Sequence, residues 1–164
     1  SNAIGEGIGR ATAEAIELAE NENWTGIVIG NNAKQFSVGA NLMNIGMYAM
    51  QKQFDPLEKM VDDFQRVNMR MRTSKIPVVT AAQGYVFGGG CEIAMHCDAG
   101  VFAAETYIGL VEVGVGLLPG GGGTKELALR ASDGFYEGDV KIPMLIDHFK
   151  SFYKALCLGI DIIC

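Results

Sequence analysis

The chain contains no apolar run of about 18 residues, the length needed to span a bilayer, and its first residues lack the basic-then-apolar order of a secretory signal. It is therefore expected to be cytoplasmic. It also lacks an excess of positive charge: 13 Lys+Arg against 19 Asp+Glu leave a net −6, which removes any broad attraction for nucleic acid or anionic lipid. Neither nucleic acid nor a membrane is an expected partner, and any bound phosphate has to be held locally. Cysteine is scarce. Cys91, Cys97, Cys157 and Cys164 are too few for a disulfide scaffold and form no C-x-x-C pair with partner ligands, so they read as reduced and structural, with no metal site. Only 4 prolines accompany 22 glycines, and the glycines have no three-residue period, which excludes collagen. What is present, 49% hydrophobic residues in 164, describes a single globular domain. Ser1-Asn2-Ala3 resembles an expression-tag scar and is set aside from the fold.

Along the chain, Ile8, Ala11, Ala15, Ile16 and Leu18 recur at three- and four-residue intervals and predict an amphipathic helix over 5–21. Residues 24–30 (WTGIVIG) read as a buried strand ending at Asn31-Asn32, followed by a loop through FSVGANL. Leu57, Met60, Val61, Phe64, Val67 and Met71 line one face of a second helix over 56–72, with Pro56 in its first turn. Val78 to Ala82 is a second buried strand, Cys91 to His96 begins a helix, and Asp98 to Ala104 and Tyr107 to Leu110 are further strands. A helix over about 124–130 follows four glycines. The repeating unit of strand, glycine turn and helix predicts an α/β fold. Residues 142–164 mix an amphipathic stretch with an apolar end and suggest no definite element.

Two glycine-rich stretches fail as nucleotide sites. Gly5-Glu6-Gly7-Ile8-Gly9 is not G-x-G-x-x-G, and Asn31 and Asn32 stand where an acidic ribose ligand is needed; Gly123-Thr124-Lys125 reverses the Gly-Lys-Ser/Thr order of a phosphate loop. Two junctions remain, Gly39–Asn41 and Gly88–Glu92, each offering backbone N–H groups freed by glycine. Helix N-termini present unsatisfied donors at a positive dipole end, so the pair suits one developing oxyanion; the alternative is that the glycines only permit turns and close packing. Glu92 and Glu112 stand among apolar neighbours, where an unpaired carboxylate is costly and its pKa rises. The alternatives are a helix N-terminal acid for Glu92 and a solvated loop acid for Glu112.

FSVGANL (36–42), GYVFGGGCEIAMHCD (84–98) and YIGLVEVGVGLLPGGGGT (107–124) resemble, in order and spacing, the three motif blocks of the enoyl-CoA hydratase/isomerase, or crotonase, superfamily. The resemblance runs from Ile4 to about Arg130. It implies a crotonase-like spiral of repeated ββα units over 4–131, with 132–164 an atypical or truncated helical tail. It implies an enoyl-CoA hydratase of fatty-acid β-oxidation, adding water across C2–C3 of a trans-2-enoyl-CoA. Coenzyme A is then part of the substrate, with no tightly bound cofactor and no metal. By similarity the amides of Ala40 and Gly89 form the oxyanion hole, and Glu92 and Glu112 are the catalytic glutamates. Lys34, Phe36, Val38, Gly39, Asn41, Leu42, Gly88, Leu110, Pro119 and Gly120 are expected to contact substrate, although Lys34 is more simply read as a solvated loop lysine. Two acids favour a hydratase over a 3,2-enoyl-CoA isomerase, which manages with one; a non-catalytic module that binds acyl-CoA or partner subunits is the other alternative. Asn41 departs from the Asp common in the first block. The wording from Glu105 to Leu127 is closest to the hydratase part of bifunctional 3-hydroxyacyl-CoA dehydrogenase/enoyl-CoA hydratases, and the resemblance also implies a homo-oligomer, trimer or hexamer. His96 is expected to pack or cap, His148 to lie on a solvated face, and Met43, Met47 and Met50 to fill core or line an acyl channel.

Overall fold

The computed structural model describes residues 2–133 together with the short stretches 136–137 and 140–141. Strand β1 (Ala3–Ile4) leads directly into helix α1 (Glu6–Asn21). The helix lies where its periodicity predicts, but its inner stripe is rotated. Ile16 and Ala19 are buried while Ile8, Ala11, Ala15 and Leu18 are exposed. The reason is tertiary: Glu20 forms a two-pronged ion pair with Arg70 (3.0 and 2.6 Å), and Gly9 lies against Val67, so the face of α1 turned inward is the one that meets the second long helix.

Strand β2 (Ile27–Gly30) follows, then β3 (Gly39–Ala40), helix α2 (Leu42–Met50) and helix α3 (Phe54–Arg72). Periodicity does not announce α2, which has no buried residue; its local signal is Asn41, whose Oδ1 accepts the Met43 amide at 3.1 Å as an N-cap. Helix α3 follows its predicted face except at Val61, which is exposed, burying Met71 and Asn68 and half-burying Leu57, Met60, Phe64 and Val67. Next come β4 (Val78–Ala82), β5 (Tyr85–Phe87), α4 (Gly89–His96), β6 (Ala99–Phe102), β7 (Tyr107–Gly109), a 3-10 turn at Glu112–Val115, and α5 (Gly123–Asp133). A two-residue antiparallel pair, β8 (Tyr136–Glu137) and β9 (Val140–Lys141), ends the described chain. The tail from 142 onward, with His148, Cys157 and Cys164, lies outside the described residues.

The unit that repeats is strand, strand, helix. Strands β2, β4 and β6 form one parallel sheet with β4 central, and the shorter β3, β5 and β7 build a second layer, β5 pairing with β7 and Ser37 bridging to Val86. Each short second strand lies inside or beside a glycine loop, so from sequence the unit reads as strand, glycine turn, helix. Central β4 buries Val78, Thr80 and Ala82. Its neighbours are not the buried strands expected, for Val28 on β2 is 70% exposed and Val101 on β6 is 69% exposed. They are edge strands: β2 alternates half-buried and exposed residues, and all four residues of β6 are exposed. Ile16, Phe36, Met71, Val86, Ile93, Ala94 and Cys97 close the core beneath β4. All eight residues of α4 are buried, as a helix apolar on every side demands.

Asn2 and Ala3 belong to this fold despite their resemblance to a tag scar. Ala3 pairs in parallel with Gly39, the Asn2 carbonyl accepts from Val38 N (3.1 Å) and Ser37 Oγ (3.0 Å), and its side chain donates to the Gln35 carbonyl. Among the described residues no helix is long and apolar enough to cross a membrane.

Candidate active site

The two glycine junctions meet. Gly39 (φ +90°) packs on the turn into α4, where a Cβ on it would lie 3.5 Å from Gly89 N and 3.6 Å from Gly88 Cα. Gly88 takes φ +53°, a left-handed backbone that favours glycine, and its amide donates to Gly109 O at 2.9 Å. Gly89 opens α4, so its N–H has no acceptor within the helix. Ala40, next to Gly39, stands beside this turn on an exposed strand residue.

Glu92 enters from the first turn of α4 and is 2% exposed. Its Oε1 accepts two amides, from Gly121 at 2.8 Å and Gly123 at 2.9 Å. Gly121 fits only because it has no side chain: a Cβ there would stand 2.5 Å from Glu92 Oε2. Burial pushes the Glu92 carboxyl up to about 7; the Gly123 and Gly121 amides oppose the shift and the charge of Glu112 adds to it. Glu112 comes from the 3-10 turn on the opposite side, where its Oε1 would touch a Cβ on Gly88 at 3.0 Å. Burial raises its pKa as well, and its Oε2 is buried without a hydrogen-bond partner. Glu112 as a whole is half-buried.

The remaining predicted contacts divide. Gly39 and Gly88 lie at the junction; Val38 and Leu42 are exposed beside it, with Asn41 half-buried between them. Pro119 and Gly120 are half-buried, and Gly120 O accepts from Gln65 Nε2 at 2.6 Å. Lys34 is exposed on the loop before the first block. Phe36 and Leu110 are packed in hydrophobic clusters, 6% and 3% exposed, and Leu110 also borders a surface concavity. His96 packs and caps, as expected. Its Nδ1 donates to the Glu92 carbonyl at 2.7 Å, because a carbonyl only accepts, and burial lowers its pKa.

Sequence reasoning missed the cradle of Glu92. The Gly121 and Gly123 amides hold the carboxylate, and Asn68 Nδ2 fixes that loop by donating to Gly121 O at 2.9 Å. The available signal was a glycine run at a helix start within a chain already carrying an isolated buried acid. Two surface concavities, of about 610 and 390 Å³, lie elsewhere; the first is bordered by Val28 and Val101, the second by Met95 and Phe102, and neither contains Glu92 or Glu112.

Comparison with known proteins agrees with this geometry. The family model described as enoyl-CoA hydratase/isomerase matches residues 1–133. The probable 3-hydroxyacyl-CoA dehydrogenase of Bacillus subtilis (strain 168) is 44% identical over 130 residues, 79% of this chain and 16% of that protein. The crotonyl-CoA hydratase of Syntrophomonas wolfei is 36% identical over 103 residues, 62% of this chain and 37% of the relative. The solved structure of an enoyl-CoA hydratase from Polaromonas sp. JS666 superposes with a TM-score of 0.74 at 29% identity, covering 77% of this chain and 49% of that one. The chain thus spans half or less of the length of these relatives. With its ββα spiral, its three motif blocks and this match over 133 residues, the chain belongs to the enoyl-CoA hydratase/isomerase family.

Proposed function

We propose that this chain is the hydratase part of a fatty-acid β-oxidation protein and adds water across the C2–C3 double bond of a trans-2-enoyl-CoA. The observation that carries the reading is a pair of glutamates, Glu92 buried in the first turn of α4 and Glu112 half-buried with its carboxylate against Gly88, both with raised pKa values. Glu92, raised to about 7 by burial and in part by the charge of Glu112, keeps the pair's one proton below neutral pH. That is the stoichiometry hydration needs. The ionised carboxylate takes a proton from water as the water oxygen bonds to C3; the C2–C3 π electrons shift toward the thioester; the protonated carboxyl delivers its proton to C2. The pair ends with the one proton it began with.

The charge that develops on the thioester oxygen is received by the Ala40 and Gly89 amides. Each such donor contributes about 2.7–4 kcal/mol to the transition state. Coenzyme A enters as part of the substrate, and Lys34, on its exposed loop, is placed to meet a phosphate of it. Val38, Gly39, Asn41, Leu42, Gly88, Pro119 and Gly120 supply the surrounding contacts. The catalytic core corresponds to residues 4–131, and the exposed outer faces of β2 and β6 favour a homo-oligomer.

The test is loss of crotonyl-CoA absorbance with identification of the product as the 3-hydroxyacyl thioester. Formation of it, abolished by Glu92→Gln and by Glu112→Gln in folded protein, supports the reading. A 3-enoyl product replaces it with the isomerase, and binding of acyl-CoA without turnover reduces the chain to a binding module.

A further inference from the structure

The Gly120–Gly123 loop that cradles Glu92 is itself gripped from below. Asn68 and Arg72, one turn apart on α3, hold its two ends. Asn68 Nδ2 donates to Gly121 O at 2.9 Å, and Arg72 Nη1 donates to Glu126 Oε2 at 2.6 Å. Glu126 is fully buried on α5, and its amide returns to Gly122 O at 3.0 Å, between the two glycines whose amides hold Glu92. Lys125 Nζ stands 3.0 Å from Glu126 Oε1, and His96 Nε2 faces the same oxygen at 3.5 Å from α4. His96 in turn contacts the Glu92 carbonyl. The Glu126 carboxylate is therefore the point at which α3 is tied to α5, with His96 of α4 packed beside it.

Such an ion pair is a poor device for stability. Taking charges out of water costs about as much as their attraction returns, and apolar residues of similar volume often serve equally well or better. What a carboxylate adds is direction, since its bonds to Arg72 fix where the α5 N-terminus stands relative to α3. We propose that Glu126 is a positioning residue for Glu92, holding the Gly121 and Gly123 amides at the carboxylate through the Arg72 pair. The proposal rests on the hydratase reading for its kinetic consequence and on the hydrogen bonds alone for its structural one.

The decisive variant is the double substitution Arg72→Met/Glu126→Leu, which removes both charges and keeps the volume. A purely structural role predicts full recovery in it. Positioning predicts a folded protein, melting near the wild type, whose kcat for crotonyl-CoA is lower by about 10- to 100-fold with KM within about twofold, the scale of a small misplacement at the reacting groups. It also predicts faster hydrogen exchange at the Gly121 and Gly123 amides, with exchange in β4 unchanged. Glu126→Gln is the second variant and should accelerate the same two amides. Glu20→Gln, which breaks the remote Arg70 pair, should leave both readouts as in the wild type. Wild-type kcat and wild-type exchange at Gly121 and Gly123 in the folded double variant overturn the proposal. If the wild type itself hydrates no enoyl-CoA, the hydratase reading fails, and exchange at the two amides decides the positioning claim by itself.

Discussion

Glu92 and Gly121, 29 residues apart, are joined by a 2.8 Å hydrogen bond from a backbone amide to a carboxylate oxygen that water barely reaches. This contact and its twin from Gly123 partly offset the cost of burying Glu92, and leave the carboxyl titrating near 7.

Glu92→Gln should abolish hydration and yet stabilise the protein above neutral pH. A carboxyl whose folded pKa is raised binds more protons folded than unfolded, so wild-type stability falls as pH climbs from about 4.5 to about 7. One pKa unit is worth about 1.4 kcal/mol, which puts the gain from the variant on the order of 3 kcal/mol at pH 8 and near zero at pH 4. Paired urea titrations at the two pH values check it; an equal difference at both would contradict the assignment.

Glu112→Gln should move the Glu92 titration midpoint down, because one contribution holding it high is the Glu112 charge. Carbon-13 NMR of the Glu92 carboxyl reads this directly. In the wild type, kcat/KM for hydration should fall as pH passes through about 7 and Glu92 gives up the proton that the pair delivers to C2.

Gly121→Ala should cost about 1–3 kcal/mol, the usual range for overpacking, and should lower kcat. The new Cβ would stand 2.5 Å from Glu92 Oε2 and 2.7 Å from Asn68 Nδ2, and neither is a free side-chain end that can retreat. Gly114→Ala, where a Cβ meets nothing within 4 Å, is the matched control for denaturant melting.

Acid should loosen the α1–α3 contact before the active site. Hydrogen bonding from Arg70, with the Lys75 amide, holds the Glu20 carboxyl down at about 2. A lowered acid pKa contributes stability that is complete above about pH 4.5 and disappears as pH falls toward 2. Glu20→Gln should therefore flatten the acid limb of thermal stability over that window while leaving stability at pH 7 to 8 parallel to the wild type.

Much of this protein is written locally. The three motif blocks and the inner face of α3 follow from glycine placement and a 3.6-residue period, both set within a few residues of chain. The same local chemistry marked Glu92 and Glu112 as unusual acids among apolar neighbours. Tertiary structure decided the rest. Which stripe of α1 turns inward depends on Glu20 finding Arg70 fifty residues later. That Asn2 and Ala3 complete a strand pair depends on Gly39 arriving beside them. Burial of Glu112, the two-amide cradle of Glu92 and the clamp of Asn68, Arg72 and Glu126 all require distant segments to meet. Desolvation and long-range hydrogen bonds do not exist until they do, and no periodicity in the chain encodes them.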